Sequence, residues 1–278
     1  MMERQNRSQI TLPWNWLTAI AGGLFFIHVT LDFQRQSYGH LSISLLFWIA
    51  IATLISERKK KLKLGSDPIS IGLGSLILLG LIGLAIASPR GIILGFYPFV
   101  GAIGLSLIAS GISQIGQYRN ELIGFLCLGL PKLVSLKTFD ISPLTAAFST
   151  GLMWYSGFPV QRNGIHITLP PNGGLKVIPE CSGLNLMLYM FGVSVVFLML
   201  FPTKNKRNFF LFPLLAMGLG FFLNGIRIAL LTFLSAAANR PAFDYWHSEE
   251  GALFFVLLSV GLFGLLCWVL LGLRSKKK

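Results

Sequence analysis

The fold of this chain is decided by residues 181–202, CSGLNLMLYMFGVSVVFLMLFP, which contain no charged side chain. A transmembrane helix needs about 20 predominantly apolar residues, because its length must match the hydrocarbon core of the bilayer. Similar stretches lie on both sides of this one. The 278-residue chain is 54% hydrophobic and only 12% charged, with a mean hydropathy of +0.70. This composition argues against a water-soluble domain and predicts an all-α polytopic membrane protein.

The apolar stretches predict eight transmembrane helices, and we interpret residues 1–278 as a single integral membrane domain. The spans are expected near residues 14–32, 41–56, 68–88, 92–115, 121–136, 181–202, 208–238 and 251–273. The first span has no small-residue cleavage site behind a short apolar core, so we expect a retained helix rather than a signal peptide. The fifth span is the weakest, because Pro131 and Lys132 interrupt it.

The distribution of Lys and Arg predicts the sidedness, because these residues are enriched in the cytoplasmic loops of membrane proteins. Eight spans with an inner N-terminus place 15 of the 23 basic residues on the cytoplasmic side. They are Arg4, Arg7, Arg58, Lys59, Lys60, Lys61, Lys63, Arg119, Lys204, Lys206, Arg207, Arg274, Lys276, Lys277 and Lys278. We therefore expect both termini inside the cell and residues 137–180 on the outer face.

The net charge of +13 does not indicate nucleic acid as a partner. The basic residues stand in short clusters beside apolar spans, and no surface of interleaved basic and aromatic residues is apparent. Orientation in the membrane and contact with anionic lipids explain these clusters better. Two of the three cysteines lie within apolar runs, so a disulfide framework has no support.

The outer segment 137–180 is predicted to be structured. Residues 145–157, TAAFSTGLMWYSG, are too few and too polar to span the bilayer, so they predict an interfacial helix anchored by Trp154 and Tyr155. Farther along, Ile165, Ile167 and Leu169 alternate with polar residues between two turn signals. Alternation with a period of two predicts a small β-ribbon that leads into the sixth span.

Cys181 is the first candidate for chemistry, because it stands where this polar segment becomes an apolar span. A thiol at the start of a helix lies near unpaired backbone N–H groups, which favour the thiolate. The alternative is a small packing residue at the interface. That alternative suffices for Cys127 and Cys267, which lie inside apolar runs.

Arg227 is the second candidate, because an arginine inside a span costs about 2.5 kcal/mol or more and is by default functional. Its span, residues 208–238, is longer than the roughly 20 residues needed, so Arg227 is expected near the outer boundary. Asn224 lies three residues earlier and thus on the same helical face, as a supporting residue. The alternative is a structural arginine that extends its side chain to the interface or binds lipid phosphate.

His247 is the third candidate, in the predicted outer loop 239–251 before the last span. An imidazole can take a thiol proton near neutral pH and return it to a leaving amine. Glu249 and Glu250 are near enough in sequence to orient it, and Glu250 is the supporting residue we select. The alternative is an ordinary interfacial histidine beside Trp246.

Together the three residues predict acyl transfer through a thioester. Cys181 would attack a carbonyl, His247 would move the proton and Arg227 would neutralise the oxyanion. A zinc site of Cys181, His166 and His247 is less favoured, because close-spaced ligand pairs are absent. We therefore expect neither a metal nor a cofactor.

At these residues the sequence resembles the exosortase/archaeosortase family of membrane-embedded cysteine transpeptidases. The resemblance is carried by residues 180–184 (ECSGL), 224–228 (NGIRI) and 247–251 (HSEEG). In the family's pattern a Cys begins one span, an Arg lies in the next, and a His or Arg precedes the one after. The resemblance therefore implies that Cys181, Arg227 and His247 are nucleophile, electrostatic stabiliser and base. The short chain looks like the cyanobacterial branch.

The resemblance also implies the substrates and the place of action. The substrates would be exported proteins whose C-terminal sorting signal has a Pro-Glu-Pro-like motif, a transmembrane helix and a basic tail. Cleavage would take place at the outer face of the bacterial plasma membrane, and a glycan or lipid would accept the new C-terminus. Two other readings stay open: a transporter or membrane component of polysaccharide export, and a membrane acyltransferase.

Overall fold

The computed structural model describes residues 10–87, 91–134 and 139–275. These ranges contain ten α-helices and one small sheet. The helices are α1 (Trp14–Gln34), α2 (Tyr38–Arg58), α3 (Pro68–Ile86), α4 (Gly91–Ser110), α5 (Arg119–Leu133), α6 (Ser142–Tyr155), α7 (Leu184–Leu200), α8 (Asn208–Ala236), α9 (Arg240–His247) and α10 (Glu249–Ser275). The strands are β1 (Gln161–Asn163), β2 (His166–Leu169) and β3 (Gly173–Lys176).

The all-helical membrane fold is confirmed, because six helices in the described ranges are long and apolar enough to cross a bilayer. They are α1, α2, α3, α8, α10 and the helical segment Pro179–Leu200, which joins a short 3₁₀ turn to α7. Helix α4 ends at Ser110 rather than 115, because the chain turns at Gly111, which has a φ of +70°. Helix α5 has 15 residues, which rise about 22 Å, less than the roughly 30 Å of hydrocarbon. The total of eight spans and the sidedness stay predictions.

Several predictions fall on residues outside the described ranges. Arg4, Arg7 and the run Lys276–Lys278, which carry part of the predicted sidedness, are among these residues. The ends of the expected spans 68–88 and 121–136 and the beginning of the segment 137–180 lie there as well.

The chain divides into two compact units. The first contains residues 1–35 and 44–132, and its core includes Leu24, Leu81 and Tyr97. Helices α3 and α4 approach closely in this unit, since a Cβ added at Gly74 would lie 2.6 Å from the Gly104 carbonyl oxygen. Small residues of this kind let membrane helices pack backbone to backbone.

The second unit contains residues 36–43 and 133–278, and it holds all the candidate functional residues. Its core is a cluster to which helix α6, the sheet and helix α8 all contribute; the buried members are Ala146, Met153, Val160, Ile167, Leu169, Val177, Ile228 and Leu231. The segment before the sixth span therefore packs onto the membrane helices.

The helix and ribbon predicted in this segment are confirmed. Helix α6 occupies Ser142–Tyr155, and Trp154 and Tyr155 stand exposed at its end. The ribbon has three antiparallel strands in the order β1-β2-β3. Strand β2 alternates as the sequence suggested: Ile167 and Leu169 are buried, and His166 is exposed.

Close backbone contact at Gly173 and Gly174 joins the sheet to helix α8. A Cβ at Gly173 would lie 2.2 Å from the Ala236 Cα, so only glycine fits there. The Ser235 hydroxyl donates to the Gly174 carbonyl at 2.9 Å. Backbone contact with the end of α8 thus holds β3.

Candidate functional site

The sequence predicted that Cys181 begins the membrane helix. In the structure it lies in a tight turn that precedes this helix. It ends a 3₁₀ turn, Pro179–Cys181, and α7 begins only at Leu184. Gly183 joins the two with a φ of +88°, a left-handed conformation that costs glycine little. The Cys181 side chain is partly buried, and the residue packs on the apolar cluster of the second unit.

Two side chains hold the carbonyl groups of this turn. Asn224 Nδ2 on α8 donates to the Cys181 carbonyl oxygen at 3.0 Å. Thr145 Oγ1 on α6 donates to the Ser182 carbonyl oxygen at 2.6 Å, and this contact is buried. A Cβ at Gly183 would come within 2.6 Å of Asn224 Nδ2, so the turn also lies directly against α8.

Arg227 lies one helical turn after Asn224 and reaches the end of α9. Its Nε donates to the Trp246 carbonyl oxygen at 3.2 Å, and its Nη2 donates to the His247 carbonyl oxygen at 3.0 Å. The last carbonyls of a helix lack partners within the helix and carry partial negative charge. Arg227 therefore caps α9, and it holds in place the backbone that carries His247.

Arg227 also lies near Cys181. The guanidinium is close enough to interact electrostatically with the Cys181 thiol, and the neighbouring Glu180 carboxylate acts on the same thiol with opposite sign. Glu249, at the start of α10, interacts electrostatically with Arg227 in turn. Residues 179–183 carry the proposed nucleophile, and we call them the nucleophile turn. The Arg227 side chain thus links this turn with the segment that carries the proposed base.

The predicted outer loop 239–251 contains a helix, which is a correction to the sequence analysis. Three local features explain α9: Asn239 Oδ1 accepts from the Ala242 amide at 3.2 Å, Pro241 lies in the first turn, and Arg240 pairs with Asp244 four residues on. The fourth feature is not local, because it is the cap that Arg227 provides.

His247 is the last residue of α9, and its side chain is exposed. The imidazole stacks on the Phe243 ring, with centroids 5.5 Å apart and planes 15° apart. No hydrogen bond joins the imidazole to the Cys181 sulfur among residues 10–87, 91–134 and 139–275. Catalytic hydrogen bonds of this kind often form only when substrate is bound.

The two supporting residues differ in their contacts. Asn224 is buried and bonds directly to the nucleophile turn. The Glu250 carboxylate instead accepts a hydrogen bond from Ser248 Oγ at 2.6 Å, next to His247 in the chain. Orientation of the imidazole by Glu250 therefore stays a prediction.

Sequence reasoning missed Thr145, which stands 37 residues before the carbonyl that it binds. Its only sequence signal was its place at the start of the predicted interfacial helix. No period or motif relates a helix position to a distant turn, so the contact appears only in the folded chain.

Neither the other two cysteines nor the alternative zinc ligands form a second candidate site among the described residues. Cys127 and Cys267 are buried, as expected for packing residues. The ligand atoms of Cys181, His166 and His247 do not gather into one coordination sphere in the part of the chain that the structure describes.

Comparison with known proteins identifies the family of the chain. No curated protein and no solved structure matches the chain. The family model of the transmembrane exosortase (Exosortase_EpsH) matches residues 36–264, which include Cys181, Arg227 and His247. Because this match covers most of the chain and its candidate site, the protein belongs to the transmembrane exosortase family.

Proposed function

We propose that this multi-pass membrane protein is a cysteine protease or transpeptidase that cleaves C-terminal sorting signals of exported proteins. Its substrates carry a Pro-Glu-Pro-like motif, a transmembrane helix and a basic tail. Cleavage takes place at the extracytoplasmic face of the bacterial plasma membrane. A glycan or lipid is the acceptor of the new C-terminus.

The observation that carries this proposal is the double engagement of Arg227. Its guanidinium bonds to the backbone of His247 and lies within electrostatic range of the Cys181 thiol. Three residues that are distant in sequence are thereby linked through one side chain. Family membership supports the same assignment of nucleophile, stabiliser and base.

In the first half of the reaction, the Cys181 thiol gives its proton to His247 and the sulfur attacks the carbonyl carbon of the scissile peptide bond. Arg227 neutralises the oxyanion that forms; its Nη1 donates no hydrogen bond to any residue the structure describes, so that atom is free to do so. The carbon–nitrogen bond then breaks, and His247 returns the proton to the departing amine. The product is a thioester on Cys181.

In the second half, an acceptor hydroxyl, amine or water gives a proton to His247 and attacks the thioester carbonyl. The carbon–sulfur bond breaks, and the proton returns to the sulfur. A water-poor site favours the acceptor over hydrolysis. The three-stranded sheet and α6, which pack on the same apolar cluster as Cys181, are placed to limit the access of water.

The test compares Cys181→Ala with the double variant Cys127→Ala/Cys267→Ala. We expect Cys181→Ala to abolish processing of a membrane-anchored substrate, whereas the double variant keeps most of it, since both replaced thiols are buried packing residues. Mass spectrometry of the substrate's C-terminus gives the cleaved bond and any attached group. Full processing by Cys181→Ala would refute the assignment of Cys181 as the nucleophile.

A further inference from the structure

The nucleophile turn is held by hydrogen bonds on both sides of Cys181. The Cys181 amide donates to the Ile178 carbonyl at 2.9 Å, and the Cys181 carbonyl accepts from Asn224. Because a peptide group is planar, a bond to its carbonyl or its N–H fixes the whole plane. The planes before and after Cys181 set the direction in which its Cα–Cβ bond points.

The next plane, between Ser182 and Gly183, has a different anchor. Its carbonyl accepts from Thr145, which is fully buried on α6. At this plane the chain leaves the 3₁₀ turn and enters α7 through the positive φ of Gly183. A rotation of the plane would move the turn relative to α7 and α8, so the Thr145 hydroxyl restrains the turn at its least regular point.

We propose that Thr145 is a positioning residue for Cys181, because its hydroxyl holds the Ser182 carbonyl and thereby fixes the turn that presents the thiol. Thr145 touches neither the sulfur nor the guanidinium through a hydrogen bond, so it acts through the backbone. This inference rests on the proposed function of Cys181 as the nucleophile. In this inference, helix α6 fixes the nucleophile turn.

Ser149 provides a matched control on the same helix. It lies one turn after Thr145, it is fully buried as well, and its hydroxyl donates to a backbone carbonyl, that of Gly225, at 3.0 Å. The bond from Ser149 ties α6 to α8 and does not touch the nucleophile turn. A purely structural role for these hydroxyls predicts similar consequences when either is removed.

The experiment compares Thr145→Val, Thr145→Ser and Ser149→Ala in the full-length protein in detergent or liposomes. Two rates are measured on folded protein: substrate processing, and alkylation of Cys181 by a small maleimide over a range of pH. Cys127 and Cys267 are replaced by Ala in every sample, so that only Cys181 reacts. The melting temperature is recorded for each variant, and Thr145→Ala replaces Thr145→Val if the latter does not fold.

We expect Thr145→Val to lower kcat by about tenfold or more with little change in KM, since small misplacements of a reacting group are costly. Its alkylation profile should shift along the pH axis, because the distance to Arg227 changes. Thr145→Ser keeps the donor and should stay within about twofold of the parent in both rates, as should Ser149→Ala.

Equal losses of processing in Thr145→Val and Ser149→Ala, or an alkylation profile that does not move in Thr145→Val, would overturn the inference. So would a Thr145→Ser variant as impaired as Thr145→Val. These outcomes are distinct from failure of the proposed function, which would appear as retained processing in Cys181→Ala.

Discussion

Arg227 connects the parts of the candidate site at the scale of single residues. The intramembrane position of this arginine indicated a function, and the structure shows that it bonds to two carbonyls of α9 while lying within electrostatic range of Cys181. A planar guanidinium suits this task, because its donors are held in a rigid fork. The side chain is thus both a cap for a helix and a positive charge for the site.

Replacement of Arg227 by Lys should therefore abolish most activity although the charge is kept. An ammonium group is compact and cannot reach both carbonyls in the fork geometry, so we expect processing to fall by about tenfold or more. The segment 240–247 should also become more sensitive to proteases, because its cap is weakened. Both are measured on purified protein, by cleavage of a substrate and by limited proteolysis.

Arg240→Lys is the matched control for this prediction. Arg240 is largely exposed on α9, and its one ion pair, with Asp244, spans a single helical turn. Pairs of this kind contribute about 0.3–0.5 kcal/mol, so the same chemical change should leave processing within about twofold. An Arg227→Lys variant as active as Arg240→Lys would show that the fork is not needed.

The sheet and the end of α8 show what matters at the scale of elements. Strand β3 meets α8 backbone to backbone at Gly173, and the Ser235 hydroxyl bonds across the junction. Strand β2 places Ile167 and Leu169 in the cluster against which Cys181 packs. The position of the sheet therefore affects the packing around the nucleophile turn.

Gly173→Ala should push the sheet away from α8. The new methyl would overlap the Ala236 Cα, and backbone atoms cannot move aside cheaply, so we expect a loss of about 1–3 kcal/mol in stability. Thermal unfolding in detergent is the measurement. Gly151→Ala on α6 serves as the control, because a Cβ there meets no atom within 4 Å and Ala favours the helix. Equal melting temperatures for the two variants would contradict the packing argument.

At the scale of the whole molecule, the number of crossings before the candidate site is the property to test. Helices α1, α2 and α3 are long enough to span, and α4 and α5 decide whether three, four or five crossings precede residue 137. Three and five crossings place the site on the same side, whereas four crossings would place it on the opposite side. Three and five crossings differ in the side on which the 3₁₀ segment 112–118 lies.

Variants with one introduced cysteine, made in a protein from which the native cysteines have been removed, distinguish these numbers of crossings. With eight spans, an impermeant maleimide added to intact cells should label His166→Cys and should not label Lys60→Cys or Ser113→Cys. His166, Lys60 and Ser113 are exposed on the protein surface, so accessibility does not limit the reaction. Labelling of both Ser113→Cys and His166→Cys from outside would show that neither α4 nor α5 crosses, and would reduce the count to six. Absence of labelling at His166→Cys would show that only one of the two helices crosses.

Much of the fold could be predicted because its signals are local. The length of an apolar run is enough to predict a membrane helix, and the alternation at Ile167 and Leu169 is enough to predict a strand. Helix α9 was missed although its N-cap, its proline and its ion pair are local, because it has only eight residues and its last carbonyls are bound by Arg227. The end of α4 at Ser110 was missed because apolar residues continue beyond the turn at Gly111.

The sequence by itself determined that this protein is helical and membrane-embedded, and it singled out Cys181, Arg227 and His247, because hydrophobicity and intramembrane charge are properties of residues and their neighbours. Only the tertiary structure decided how these residues are held: Asn224 and Thr145 on the nucleophile turn, and Arg227 on the end of α9. Such contacts join residues tens of positions apart, and their energies depend on packing in three dimensions.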